Sequence, residues 1–167
     1  MKRGRAGPIG AVSVAAAAAL AVAAVGGTVT ELGPWYRALS KPAWQPPDWA
    51  FGVIWTAIFA FAAAAGATGW RATASTVTRE WMLGLFALNG FLNVLWSLLF
   101  FRLHRPDWAL IEVVGLWLSI GVLMVFLARV SRTASALLAP YIVWVSIAAA
   151  LNYEVIRLNP PFGGAWP

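Results

Sequence analysis

The sequence predicts an all-α integral membrane protein: a bundle of five transmembrane helices forming one domain over residues 1–167. Three observations predict it. The chain is 61% hydrophobic and only 11% charged, with mean hydropathy +0.75, which leaves too few polar side chains to coat a soluble globule of this size. The charges cluster, so that long uncharged windows separate them. Several of the eleven tryptophans stand at the window edges, where an amphipathic indole prefers the headgroup level of a bilayer.

The windows give the helices in order, because about 20 residues rising about 1.5 Å each cross a hydrocarbon core of about 30 Å. Ala6–Thr30 predicts a helix over about 8–30. Lys2, Arg3 and Arg5 before it also describe a secretory signal, but the window exceeds the usual apolar core of about 7–15 residues, so a retained helix is expected. Trp49–Trp70 predicts a second helix over about 48–70, Trp81–Phe101 a third over 80–102, and Trp108–Ala128 a fourth over 107–129, broken only by Glu112. Thr133–Tyr153 predicts the fifth, 133–157. The connections at 102–107 and 129–132 are tight, which makes helices three to five antiparallel neighbours.

Basic residues lean to one side. Lys2, Arg3, Arg5, Arg71, Arg79, Arg129 and Arg132 oppose Arg37, Lys41, Arg102, Arg105 and Arg157, so the positive-inside rule puts the N-terminus in the cytoplasm, in a bacterial cell membrane. The net charge of +6 is scattered singly at helix ends, which argues against nucleic acid as a partner. There is no cysteine, which excludes disulfides, thiolate catalysis and sulfur-ligated metals.

Trp55, Trp96, Trp117 and Trp144 lie inside their windows, where an indole N–H needs a partner that lipid tails cannot offer. Helix rise puts Trp55, Asn93, Trp96, Glu112 and Trp144 within about 6–14 Å of the outer surface, Asn89 about 18 Å deep and Asn152 at the edge. Phase aligns them. Asn89, Asn93, Trp96 and Phe100 form one stripe with Ser97 beside it, Trp144, Ala148 and Asn152 a second, and Phe51, Trp55 and Phe59 a third. Interhelical glue explains any one of these residues. The set, concentrated at one depth, predicts a ligand pocket, mostly aromatic with a few convergent polar groups.

The run 35–55, WYRALSKPAWQPPDWAFGVIW, supplies its cover. Pro42, Pro46 and Pro47 bar a helix, while Trp35, Tyr36, Trp44 and Trp49 give the loop an apolar underside, as a lid needs. Glu112 reads either as a proton-pathway carboxylate or as a helix-to-helix hydrogen bond to nearby Trp or Asn groups. His104 reads as a solvated loop residue. Ala15, Ala19, Ala23 and Gly27, at four-residue spacing, allow a homodimer through the first helix.

WYRALSKPAWQPP, then Trp55, LNVLWSLLFF at 92–101, HRPDWALIE at 104–112 and PYIVWVSIAAALNYEVIRLN at 140–159 together resemble the TspO/MBR family, the tryptophan-rich sensory proteins related to the mitochondrial translocator protein. The resemblance covers about residues 30–159. It implies a five-helix bundle, commonly dimeric, that binds porphyrins such as protoporphyrin IX and drug-like apolar ligands under the first loop, with no cofactor or metal required. It also implies that Trp55 and Trp144 serve light-dependent porphyrin breakdown, with Tyr36, Asn89 and Ala148 as pocket or lid positions. Phe59 departs from a frequent tyrosine. Leu151, Tyr153 and Arg157 fit the loose cholesterol pattern of eukaryotic members. The expected function is tetrapyrrole binding and sensing, since flat macrocycles stack on indoles. The alternatives are a porphyrin-degrading enzyme and a small transporter of tetrapyrroles or lipids.

Overall fold

The computed structural model describes residues 8–162, and the side chains of residues 13, 15–20, 22, 24 and 26–162. Lys2, Arg3 and Arg5, on which part of the charge asymmetry rests, and the side chain of Ala23 lie outside the described residues.

Among the described residues every element is helical: α1 (Pro8–Val29), α2 (Pro34–Ala38), α3 (Asp48–Ala72), α4 (Thr76–Ser97), α5 (Pro106–Ala128), α6 (Arg132–Ala136) and α7 (Ala139–Leu158). Among the described residues, four stretches are long and apolar enough to cross a membrane: Asp48–Ala72, Thr76–Arg102, Pro106–Ala128 and Arg132–Leu158. Local chemistry sets their starts. Pro47 precedes α3, whose first turn carries Asp48, favourable at the positive end of the helix dipole. The Ser75 hydroxyl accepts from the Thr78 N–H at 3.2 Å and caps α4, and Ser131 caps α6 through Ala134 in the same way. Pro106 opens α5, where its missing N–H leaves nothing unpaired.

Three features depart from the sequence expectation. The loop expected over 31–48 contains α2, which opens on Pro34 and ends before Pro42, Pro46 and Pro47. The third predicted helix starts earlier, at Thr76, and finishes in a π-helical turn, Leu98–Arg102, where the Leu103 N–H reaches Leu98 O at 2.9 Å. The fifth predicted helix is two, α6 and α7, parted at Leu137 and Leu138. Pro140 explains the break: it has no N–H to give Ala136 O, and its ring would strike that carbonyl.

Helix α5 is the centre of the packing. Val113, Leu116, Ile120, Leu123 and Leu127 repeat along its inner face and meet Ile58 of α3, Met82 of α4 and Trp144 and Val145 of α7. Its outer face is equally apolar, with Ile111, Val114, Leu118, Val122 and Val125 exposed. A helix apolar all round, with one side uncovered by protein, is suited to lipid rather than water. Helix α1 packs against α3 and α4.

Candidate ligand site

Helices α3, α4 and α7 present their stripes to a cavity of about 770 Å³ that α1 completes along one side and the loop after α1 covers at one end. The volume is in the range of small-molecule sites. Of the residues predicted to bind a ligand, Tyr36, Phe51, Trp55, Phe59, Asn93, Trp96, Phe100, Trp144, Ala148 and Asn152 stand on its wall. Helical periodicity brings them together, since each stripe occupies one face of its helix.

The aromatic wall is built of ring pairs. Trp55 stacks on Phe59 at 5.4 Å and meets Tyr141 edge-on, Trp144 meets Phe51 edge-on at 5.6 Å, and Trp96 stacks on Phe100 at 5.1 Å. Such offset and edge contacts fix each ring beyond simple area burial. The π turn has a local effect here. It carries the consecutive residues Phe100 and Phe101, both of which reach the cavity.

Polar residues on this wall are few, and three of their atoms are unsatisfied. The indole N–H groups of Trp96 and Trp144 and the side-chain carbonyl of Asn152 are buried without a hydrogen-bond partner among the described residues. The amide N–H of Asn152 is used, donating to Pro106 O at 2.7 Å. Two orphan donors and one orphan acceptor around one cavity are uncommon in a folded protein, where buried polar groups pair.

The cover is fastened on three sides. The side-chain amide of Asn159, just past α7, accepts from the Ser40 N–H at 2.8 Å and donates to Ser40 O at 2.9 Å. Trp35 stacks on His104 at 4.2 Å, and Arg102 pairs with Glu31. Beneath the loop, the Tyr36 hydroxyl donates to Asp48 at 3.1 Å and accepts from Gln45 at 3.3 Å, while Lys41 lies 3.7 Å over its ring. Burial first, and then the Asp48 charge and hydrogen bond, push the Tyr36 phenol up to about 12, so it stays neutral and keeps its proton for Asp48.

Several expected residues sit elsewhere. Trp44 is half exposed and off the cavity wall. The turn closed by the Gln45 N–H on Pro42 O at 3.0 Å sends Trp44 outward and Gln45 inward. Asn89 is a turn deeper than Asn93 and faces a second cavity, where its amide is engaged by Ser119 and Tyr141. Glu112 makes neither expected helix-to-helix hydrogen bond: both carboxylate oxygens are buried without a partner among the described residues. His104 is exposed as expected, though stacked on Trp35. Leu151 is buried on the cavity wall, while Tyr153 and Arg157, one turn apart on α7, are exposed, with Arg157 paired to Glu154. Ala15, Ala19 and Gly27, proposed above for self-association, line cavities within the chain.

Gln45, Asp48 and Phe101 were not read as site residues in the sequence. Gln45 leaves no signal there because it depends on turn geometry, and Phe101 because it stands beside the stripe that ends at Phe100. Asp48 was visible only as a helix start.

The comparisons with known proteins agree with this architecture. The model of the TspO/MBR family matches residues 13–158. The chain is 42% identical over 147 residues to the tryptophan-rich protein TspO of Chlorobaculum tepidum, covering 84% of this chain and 90% of that one. It is 36% identical to protein CrtK of Rhodobacter capsulatus, covering 85% and 89%. It is 30% identical to the human translocator protein, covering 78% of each. Apolar spans, an aromatic cavity under a fastened loop and these relatives agree: the chain is an integral membrane protein that belongs to the TspO/MBR family.

Proposed function

We propose that the protein binds tetrapyrroles, and other flat apolar ligands, in the cavity under the 30–47 loop, and serves as a sensor of them. One observation carries the reading. Trp96, Trp144 and Asn152 stand on the wall of a roomy aromatic cavity, and their indole N–H groups and side-chain carbonyl are buried with no partner among the described residues. A ligand with an extended π surface and polar edges would stack on the rings and, once those side chains turn toward it, satisfy those atoms, whose unpaired burial costs about 1–3 kcal/mol each.

The reading includes a fifth span, supported by the 22-residue length of α1, about 33 Å at the usual rise. It includes a cytoplasmic N-terminus, with the loop over the cavity outside. A homodimer belongs to it as well, with the small residues of α1 at four-residue spacing as its expected surface.

A second reading, light-dependent breakdown of the bound porphyrin with dioxygen as oxidant, is favoured by Trp55 and Trp144 lining the same cavity. Titration of purified protein with protoporphyrin IX, following tryptophan quenching in the dark and porphyrin absorbance in the light, tests both. Trp55→Phe, Trp96→Phe and Trp144→Phe each keep a ring in place, and loss of one neutral hydrogen bond predicts a weakening of roughly 2- to 12-fold. Trp117, bonded to Ser146 at 3.0 Å and off the cavity wall, is the control. Weakening by Trp117→Phe with the other three at wild-type affinity contradicts the site.

A further inference from the structure

Among the described residues that line the cavity under the loop, Asp48 is the one with a formal charge. It is exposed, in the first turn of α3. One carboxylate oxygen accepts from the Tyr36 hydroxyl at 3.1 Å, and the other has no hydrogen-bond partner among the described residues. No cation neutralises it there either. Arg102, Arg105 and Arg157 pair with Glu31, Asp107 and Glu154, and Lys41 lies over the Tyr36 ring rather than on Asp48.

The surroundings of this carboxylate suit a positive group. Tyr36 and Trp49 line the cavity beside it, Trp49 largely exposed. Aromatic faces next to a carboxylate hold an organic cation through cation–π contact and charge pairing together. Asp48 also stands on the face of α3 that carries the aromatic stripe, with Gly52, Trp55 and Phe59 following at i+4, i+7 and i+11. Trp55 is therefore about 10 Å further along the helix by its rise. A flat ligand lying on Trp55 reaches Asp48 through a group on a short arm.

We propose that Asp48 selects among the ligands of this cavity, favouring flat aromatic molecules that carry a protonated amine on a short arm and disfavouring those with an anionic group there. The inference rests on the reading that the cavity holds flat apolar ligands. Low-dielectric walls focus the field of an unneutralised charge at an entrance, so the sign of the arriving group decides the preference. A porphyrin enters with its propionates turned away from Asp48.

The test titrates the full-length protein, in nanodiscs of zwitterionic lipid, with three anthracenes of nearly one shape that bear a propylamine, a butyl or a propionate chain. Empty nanodiscs are subtracted and tryptophan quenching is the readout. The amine should bind tightest and the propionate weakest, each step roughly 2- to 5-fold, as a partly solvated charge pair gives. Raising the salt should narrow the spread. Asp48→Asn, which keeps an acceptor for Tyr36 but removes the charge, should collapse it, and Asp48→Glu should retain it. Glu154→Gln, which removes a charge off the cavity wall, should leave the order as in wild type. Saturable binding of all three probes at equal affinity, or tightest binding of the propionate, overturns the proposal and leaves the cavity reading standing. A spread that survives Asp48→Asn, or that collapses equally in Glu154→Gln, overturns it as well. Absence of saturable binding by any of the three overturns both.

Discussion

Ala148→Phe is expected to abolish most protoporphyrin IX binding while leaving the protein folded. Ala148 stands on the cavity wall one turn from Trp144 and one turn from Asn152. Its small side chain helps keep the space between those two open. A phenyl ring there projects into an existing void, so the protein does not have to move to accept it. The ligand does. A rigid macrocycle cannot fold around the intruding ring, and overpacking a filled site costs about 1–3 kcal/mol, or on the order of 10- to 100-fold in affinity. Val53→Phe, at an exposed position on α3, is the matched control and should bind like wild type. Dark titration with tryptophan quenching reads both. Wild-type affinity in Ala148→Phe would mean that the macrocycle does not occupy this space.

Tyr141→Phe is expected to give a large loss of stability for a single-atom change. Four hydrogen bonds run in one direction through the middle of the bundle. Asn93 donates to the Tyr141 oxygen at 3.1 Å, Tyr141 donates to the Asn89 carbonyl at 3.1 Å, Asn89 donates to Ser119 at 2.8 Å, and Ser119 donates to Leu116 O at 2.7 Å. The chain ties α4, α5 and α7 together, and removing one hydroxyl cuts it twice. Asn93 then lacks an acceptor and Asn89 a donor. Single interhelical bonds in bilayers average about 0.6 kcal/mol and reach about 1.7, while an unpaired buried group costs about 1–3 kcal/mol. A loss of about 2 kcal/mol lowers the melting temperature by roughly 4–8 °C in a chain of this size. Tyr153→Phe, at an exposed tyrosine, should leave it unchanged. Equal melting temperatures for Tyr141→Phe and wild type would show that the chain of bonds contributes nothing to stability.

The stripes were legible in the sequence because a helix repeats every 3.6 residues, and a polar or aromatic group inside an apolar window stands out against it. Trp55, Trp96, Trp144 and Asn152 reach one cavity for that reason alone. Other features depend on geometry that no spacing records. Trp44 is turned outward by a single backbone bond between Gln45 and Pro42. Asn89 is in phase with its stripe, yet its amide is held by Ser119 and Tyr141, on other helices. Phe101 enters the cavity from the π turn after α4, beside the Asn93–Phe100 stripe rather than on it. The break before α7 was readable from Pro140, but an apolar run on both sides of it hid the interruption. The second cavity left the faintest trace, since it is made by the absence of side chains at alanines and glycines from three different helices.

The central claim, that a tetrapyrrole lies in the cavity under the loop, is tested most directly by an experimental structure of the protein with protoporphyrin IX bound in the dark. The account predicts macrocycle density between Trp55, Trp96 and Trp144, with polar atoms of the ligand within hydrogen-bond distance of the Trp96 and Trp144 indole N–H groups. Density on the outer surface of the bundle, with this cavity left as it stands and both indole N–H groups still unpaired, would contradict it.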